Sequence, residues 1–202
     1  SGSTFKKVYY DDLLERAVSK FVPADDLIVP YTATSLDDAE AVIHVVKMSE
    51  NELRKQMVSG FYSDIELTKP TDTITNELEE KEREVEGLTK SQRVDAMYTI
   101  LECHVNLDLE GFEDLGPDGE PTGIKLPYVV TIEEGSRKVL SIRRNFAPND
   151  PKKNKIQYFV HFKFLPGLGF YGLGLIHMIG GLSRTATAAL RQLLDAGTLS
   201  NL

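Results

Sequence analysis

Apolar and polar positions alternate with different periods along the chain, and those periods divide it into successive elements. Between Tyr9 and Phe21, Leu13, Leu14, Ala17, Val18 and Phe21 recur at helical spacing. Asp11, Asp12, Glu15, Arg16 and Lys20 are left outside, so a helix is expected there, stopped by Pro23. Leu27 to Val29 reads as a short strand ended by Pro30, and Ser35 to Asp38 as a capped turn. The β-branched run Val42, Ile43, Val45, Val46 predicts a strand over Ala41 to Met48. Ser49-Glu50-Asn51-Glu52 has the form of a capping box, which starts a helix expected to run to about Val58 and to end at Gly60. Glu77, Glu79, Glu80, Glu82, Glu84 and Glu86, with Lys81 and Arg83, predict an exposed helix stopped at Gly87.

From Met97 the period becomes two. Leu101, Cys103, Val105, Leu107 and Leu109 alternate with Glu102, His104, Asn106 and Asp108, the pattern of a strand with one buried face. After a loop rich in Gly, Pro and Asp (Gly111 to Gly123), Leu126, Tyr128, Val130 and Ile132 alternate again, and Glu134-Gly135-Ser136 supplies a turn. Val139 to Phe146 makes a third strand, with Leu140 and Ile142 on one face. Ile156, Tyr158, Val160, Phe162 and Phe164 line a fourth. Strands joined by loops without helices favour an antiparallel meander. The fold class expected is therefore α+β: an antiparallel β-meander with flanking helices and a long C-terminal helix.

That last helix is expected from Gly174 to Ala196, with Gly197 as the glycine that ends it. Its only ionisable side chains are His177, Arg184, Arg191 and Asp195. Leu175, Ile176, Met178, Ile179, Leu182, Leu190, Leu193 and Leu194 give it a wide apolar surface. Beside that surface lie the small residues Gly180, Gly181, Ser183, Thr185, Ala186, Thr187, Ala188 and Ala189. Two adjacent helical glycines cost about 1–2 kcal/mol relative to alanine. Close approach of a neighbouring helix is the usual compensation, and a meander of this size cannot cover the whole of such a helix. Gly180, Gly181, Arg184, Ala188 and Arg191 are accordingly the candidate subunit-packing residues, Arg184 and Arg191 falling on one helical face.

Composition narrows the function classes. The chain has 202 residues, 41% hydrophobic and 27% charged, with a formal net charge of -8. An acidic balance argues against tight, non-specific wrapping of DNA. The single cysteine, Cys103, excludes an internal disulfide and fits a reducing compartment. Ser1-Gly2-Ser3 carries no apolar signal segment and resembles a remnant of expression. The apolar stretch Pro166 to Ser183 is interrupted by His177, several glycines and a proline, so no membrane span is expected.

Candidate chemistry is sparse. Gly167, Gly169 and Gly172 match G-x-G-x-x-G between a strand and a helix, the dinucleotide fingerprint. The preceding strand closes an antiparallel meander and no second parallel strand follows, so no nucleotide cofactor is expected. Phe170-Tyr171 suits a shaped loop better than a phosphate cradle. His44, His104, His161 and His177 lie in separate segments without metal-ligand spacing, and no metal is expected. Cys103 reads as a buried small hydrophobe. Asp11-Asp12, Asp25-Asp26 and Asp37-Asp38 sit near predicted helix or turn starts, where capping explains them. No serine or cysteine nucleophile sits in a recognisable elbow. No catalytic residue is assigned, and the chain is not expected to be an enzyme.

A longer colinear pattern is more specific. Val139-Leu140-Ser141-Ile142-Arg143-Arg144-Asn145, Asp150-Pro151, Tyr158-Phe159-Val160-His161-Phe162 and Leu165-Pro166-Gly167 are similar to the strands before the stem in tailed-bacteriophage portal proteins. Phe170 to His177 and Ala189 to Gly197 resemble the helix that follows, and weaker similarity covers Leu27 to Asp64 and Leu101 to Tyr128. The resemblance implies a structural virion protein at the portal vertex, assembled in the host cytoplasm. It implies a dodecameric ring that conducts double-stranded DNA without sequence specificity. Terminase motor, scaffold or capsid proteins and a tail adaptor are the implied partners, with no membrane. Residues 1–172 would be wing and residues 173–202 the start of the stem helix, the clip, returning helix and crown lying beyond. Another virion connector or adaptor, or a nucleotide-dependent enzyme built on the glycine stretch, are the alternatives.

Overall fold

Aromatic and β-branched side chains crowd the amino-terminal segment, and they form strands. In the computed structural model, which describes residues 2–11, 14–67, 97–167 and 169–200, Ser3–Asp11 (β1) and Arg16–Val22 (β2) pair as an antiparallel hairpin. The helix expected over Tyr9 to Phe21 is therefore corrected to a hairpin. Tyr9 pairs with Val18 and Tyr10 with Ala17, and Asp11 Oδ1 accepts the Leu14 amide (3.1 Å) at the turn. Short apolar runs fit both periods. Here the decision belongs to Phe159–Lys163 (β8), which zips antiparallel onto the other side of β1 and completes a three-stranded sheet, β2-β1-β8.

The second sheet has five antiparallel strands in the order β3-β4-β5-β6-β7: Leu27–Ile28, Ala41–Met48, Tyr98–Leu107, Leu126–Glu133 and Lys138–Arg144. The meander thus holds for β4 to β7, while the fourth strand expected after Met97 departs to the first sheet. The chain divides into two compact units. One comprises residues 1–25, 32–38 and 157–202, and the other residues 26–31 and 39–156.

In the five-stranded unit both sheet faces are used. Leu126, Tyr128 and Val130 pack with Cys103, Val105, Leu107 and Ile132 on the face that the alternation marked as buried. The opposite face, expected to be solvated, is covered by Glu50–Val58 (α1) and the segment after it. Leu53 and Tyr62 there bury Tyr98, Ile100 and Leu140. Leu140 and Ile142, expected on one face, are parted by an irregularity between Thr131 and Ile132. Leu140 is fully buried with α1, and Ile142 is exposed opposite Val130. α1 begins with the expected capping box: Ser49 Oγ accepts the Glu52 amide and Glu52 Oε2 accepts the Ser49 amide, each at 3.3 Å. Gly60 follows at a φ of 75°, a left-handed position that ends the helix.

The acidic helix expected within 68–91 lies outside the described residues. At the other end, Leu175–Ser200 (α2) runs through Gly197 rather than stopping there. A glycine ends a helix by taking a left-handed φ. Gly60 does so, and Gly197 is not among the positive-φ glycines.

Leu53→Ala should lower the unfolding free energy by about 3 kcal/mol through a cavity under α1. Ser49→Ala should lower it by about 1 kcal/mol through the lost cap. Equilibrium urea denaturation of the two variants checks both the size and the order.

Candidate subunit-packing helix and its root

The root of α2 is built where β1 begins. Ser3 Oγ lies 2.8 Å from the Gly172 amide, which it accepts, and 2.8 Å from Nε2 of His161 on β8. Ser3, Phe5 and Phe170 are buried, and the Phe5, His161 and Phe170 rings form a triangular cluster, with centroids 4.3 Å apart for Phe5 and His161, 4.8 Å for His161 and Phe170, and 5.9 Å for Phe5 and Phe170. Gly2 accepts the Phe164 amide (2.8 Å), and Leu173 donates to the Leu165 carbonyl (2.7 Å), closing the 165–173 loop upon itself. The glycines make this possible by closeness. A Cβ on Gly172 would lie 2.9 Å from the carbonyl oxygens of Gly2 and Leu165, and one on Gly2 would overlap the Leu173 backbone.

These bonds also decide the G-x-G-x-x-G reading. The Gly172, Leu173 and Gly174 amides, which a phosphate cradle would need, are committed to Ser3, the Leu165 carbonyl and His177 Nδ1 (3.1 Å). A Cβ on Gly167 would stand 3.0 Å from the Tyr171 carbonyl. The glycine spacing describes a folded loop. Phe170 and Tyr171 shape it, their rings meeting edge to face, and burial together with the nearby Asp25 raises the Tyr171 phenol pKa.

From this root α2 projects with its side chains in solvent. Leu175, Ile176, Met178, Ile179, Leu182, Leu190, Leu193 and Leu194 are 45% to 78% exposed. At about 100° per residue, Leu175, Ile179, Leu182, Ala186, Leu190 and Leu193 fall within an arc of about 80°. Gly180, Arg184, Ala188 and Arg191 fall within a second arc of about 80° on the opposite side, and Gly181 adjoins it. A Cβ on Gly180 or Gly181 would meet nothing. Gly181, Arg184, Ala188 and Arg191 are exposed and Gly180 is partly so. Thr185 and Thr187 return their hydroxyls to the Gly181 (3.0 Å) and Ser183 (2.9 Å) carbonyls, which leaves their methyl groups outward.

The remaining candidates are dispersed. His44, Glu102 and His104 do meet, across β4 and β5. His104 Nε2 lies 2.8 Å from Glu102 Oε1 and His44 Nδ1 lies 3.9 Å from Glu102 Oε2. Lateral strand pairing, invisible in linear spacing, places His44 opposite Glu102. Tyr62 stands over the same face, and burial first, then the Glu102 charge, pushes its pKa up to about 12. Among the described residues no group of three acidic, histidine or cysteine side chains converges to hold a metal ion. Cys103 is half-buried, and burial with Glu102 raises its thiol pKa. Of the acidic pairs, Asp38 caps its turn. Its carboxylate accepts from the Thr34 hydroxyl (2.5 Å) and the Ser35 amide (2.7 Å), which hold it well below the ordinary aspartate range. No described helix is long and apolar enough to cross a membrane.

Gly2 and Ser3, read from the linear pattern as a remnant of expression, and His161, read there as an isolated histidine, together carry the root. Only the glycine spacing at 167–172 hinted at a close approach. Two antiparallel sheets, a buried joint and a helix with a largely exposed apolar surface place the chain in the mixed α+β class. The family model described as phage SU10 portal protein matches residues 7–202, and the chain belongs to that family of structural proteins of the phage virion. No curated protein matches the chain.

Two measurements test this geometry. Gly172→Ala should lower the melting temperature by several degrees, since overpacking of about 1–3 kcal/mol is concentrated at the root, whereas Gly180→Ala should raise it slightly. Isothermal titration with NAD or ATP at micromolar concentration should show no binding heat.

Proposed function

We propose that this chain is the wing (residues 1–172) and the start of the stem helix (residues 173–202) of a portal subunit. In the full-length protein it stands in a dodecameric ring at one capsid vertex. The ring docks the terminase motor, passes double-stranded DNA in packaging and ejection, and joins the head to the tail through an adaptor.

The observation that carries this reading is the solvated helix with two unlike, opposite faces. A subunit in a ring meets a neighbour on each side, and the contact is heterologous: one face of each copy meets a different face of the next. The leucine arc of α2 is an apolar ridge, and the Gly180, Gly181 and Ala188 arc is a shallow surface that admits one. Arg184 and Arg191 lie within that arc, Arg184 between Gly180 and Ala188, where they reach a carboxylate of the next copy or a DNA phosphate. The net charge of -8 suits a passage that does not grip its cargo.

The test uses the full-length protein. Leu182→Glu with Leu193→Glu, and separately Gly180→Leu with Ala188→Leu, should each abolish rings seen by electron microscopy and shift light scattering toward monomer. An unaltered protein that stays monomeric at high concentration, or rings that tolerate both pairs of substitutions, would contradict the reading.

A further inference from the structure

We propose that the outward face of the three-stranded sheet is a docking surface for a neighbouring copy of this protein, additional to α2. The inference takes its setting from the ring reading, and its test separates the two.

The face follows from strand alternation. Successive side chains of β1 point to opposite sides of the sheet. Phe5, on one side, is fully buried with the His161 and Phe170 rings, while Lys6, Val8 and Tyr10 point to the other. Register carries that second side across all three strands. Lys6 lies between Phe21 of β2 and Val160 of β8, and Thr4 lies opposite Phe162. Phe164 follows in the same alternation, its amide donating to the Gly2 carbonyl. These side chains stand in solvent: Val8, Tyr10, Phe21, Val160, Phe162 and Phe164 are 43% to 64% exposed. Together they present about 600 Å² of apolar surface, at the upper end of the largest patch on an ordinary monomer.

Three observations choose the occupant. The first is charge. Lys6 is the one charged side chain that the strands place on this face, its ammonium over the Phe162 ring. A nucleic acid needs a field of Lys and Arg to displace counterions, which a single lysine does not supply. The unit that bears the face, residues 1–25, 32–38 and 157–202, holds seven Lys or Arg and seven Asp or Glu. The net charge of -8 therefore belongs to the rest of the chain, and copies that meet through this unit meet where their like charge is absent.

The second is area. A stable interface takes about 800 Å² from each partner. The five large side chains in the leucine arc of α2 are 45% to 73% exposed and offer on the order of 500 Å². That arc falls short by itself, and arc and sheet face together exceed the requirement. The third is continuity. Leu165 and Leu173 pair just beyond Phe164 at 41% and 40% exposure, and Leu175 and Ile176 then open α2. No charged residue interrupts the sequence from Phe164 to Ile176. A copy seated along α2 thus finds the sheet face next to the root of the helix.

The experiment uses full-length protein assembled from equal parts of ¹⁴N- and ¹⁵N-labelled copies, with photo-reactive benzoylphenylalanine in place of Phe162. Irradiation should give crosslinked peptide pairs of mixed label, which arise only between copies. Phe21→Thr with Phe162→Thr keeps β-branched residues in the strands. That pair should lower the fraction of protein in rings at fixed concentration by about tenfold or more, with an unchanged circular-dichroism spectrum. Crosslinked pairs of unmixed label only would mean that each copy covers its own face, and an absence of peptide pairs would leave the face in water. Either result overturns the proposal, as do rings that tolerate the threonine pair. Should the threonine pair fail to fold, the crosslinks decide. The two readings fail separately. Rings that survive the glutamate pair on α2 and still give mixed-label pairs sink the helix contact and keep this one. Rings lost with the glutamate pair, but without mixed-label pairs when α2 is unaltered, do the reverse.

Discussion

Ser3 Oγ joins the first strand to two neighbouring parts near the other end of the chain, the His161 strand and the loop before the last helix. A buried hydroxyl with both its donor and acceptor roles engaged fixes relative position as well as adding stability, because any displacement leaves polar groups unpaired. The three-stranded sheet holds its register around that point, Ser3 pairing with Lys163 and Phe5 with His161. Phe170 then closes the joint over His161. The direction of α2 follows from this set of contacts, since its described side chains are mostly exposed.

A helix of this length with a solvated leucine arc is costly for an isolated subunit. Burial of apolar surface contributes about 25 cal/mol per Å², and only part of it is realised along α2, whose large apolar side chains are mostly exposed in the single chain. The five-stranded unit has no such deficit. One face is filled by side chains of β5 and β6, the other by α1 and Tyr62. One part covers its own apolar faces, and the other leaves much of the apolar surface of α2 in solvent. Membership in a portal family of the virion gives that surface a context.

The polar contacts sort by the same logic. Those that define turns are local and shift carboxylates downward, as at Asp38, Asp114 and Asp150, where hydroxyl, amide or ammonium donors meet exposed oxygens. Those in the interior shift groups toward the neutral form, as at Tyr62, Cys103 and His161, because burial disfavours charge.

Much of this was legible in linear order wherever the controlling interaction is local. The Ser49–Glu52 capping box, the β-branched strand at 41–48, the alternation through 101–107 and 126–132, and the small-residue helix at the end each depend on neighbours within a few residues. The portal resemblance was legible too, because it rests on a long colinear pattern. Tertiary structure alone decided the rest. Tyr9 to Phe21 fits a helix by spacing, and it became a hairpin because β8, some 140 residues later, supplies the strand beside β1. His104 reads as a solvent-facing residue until α1 and Tyr62 cover its face, and the 167–172 glycines read as a phosphate cradle until Ser3 takes the amide. Periodicity reports which side of an element is apolar. Which distant segment arrives to cover it is set by pairing and packing that no local window contains.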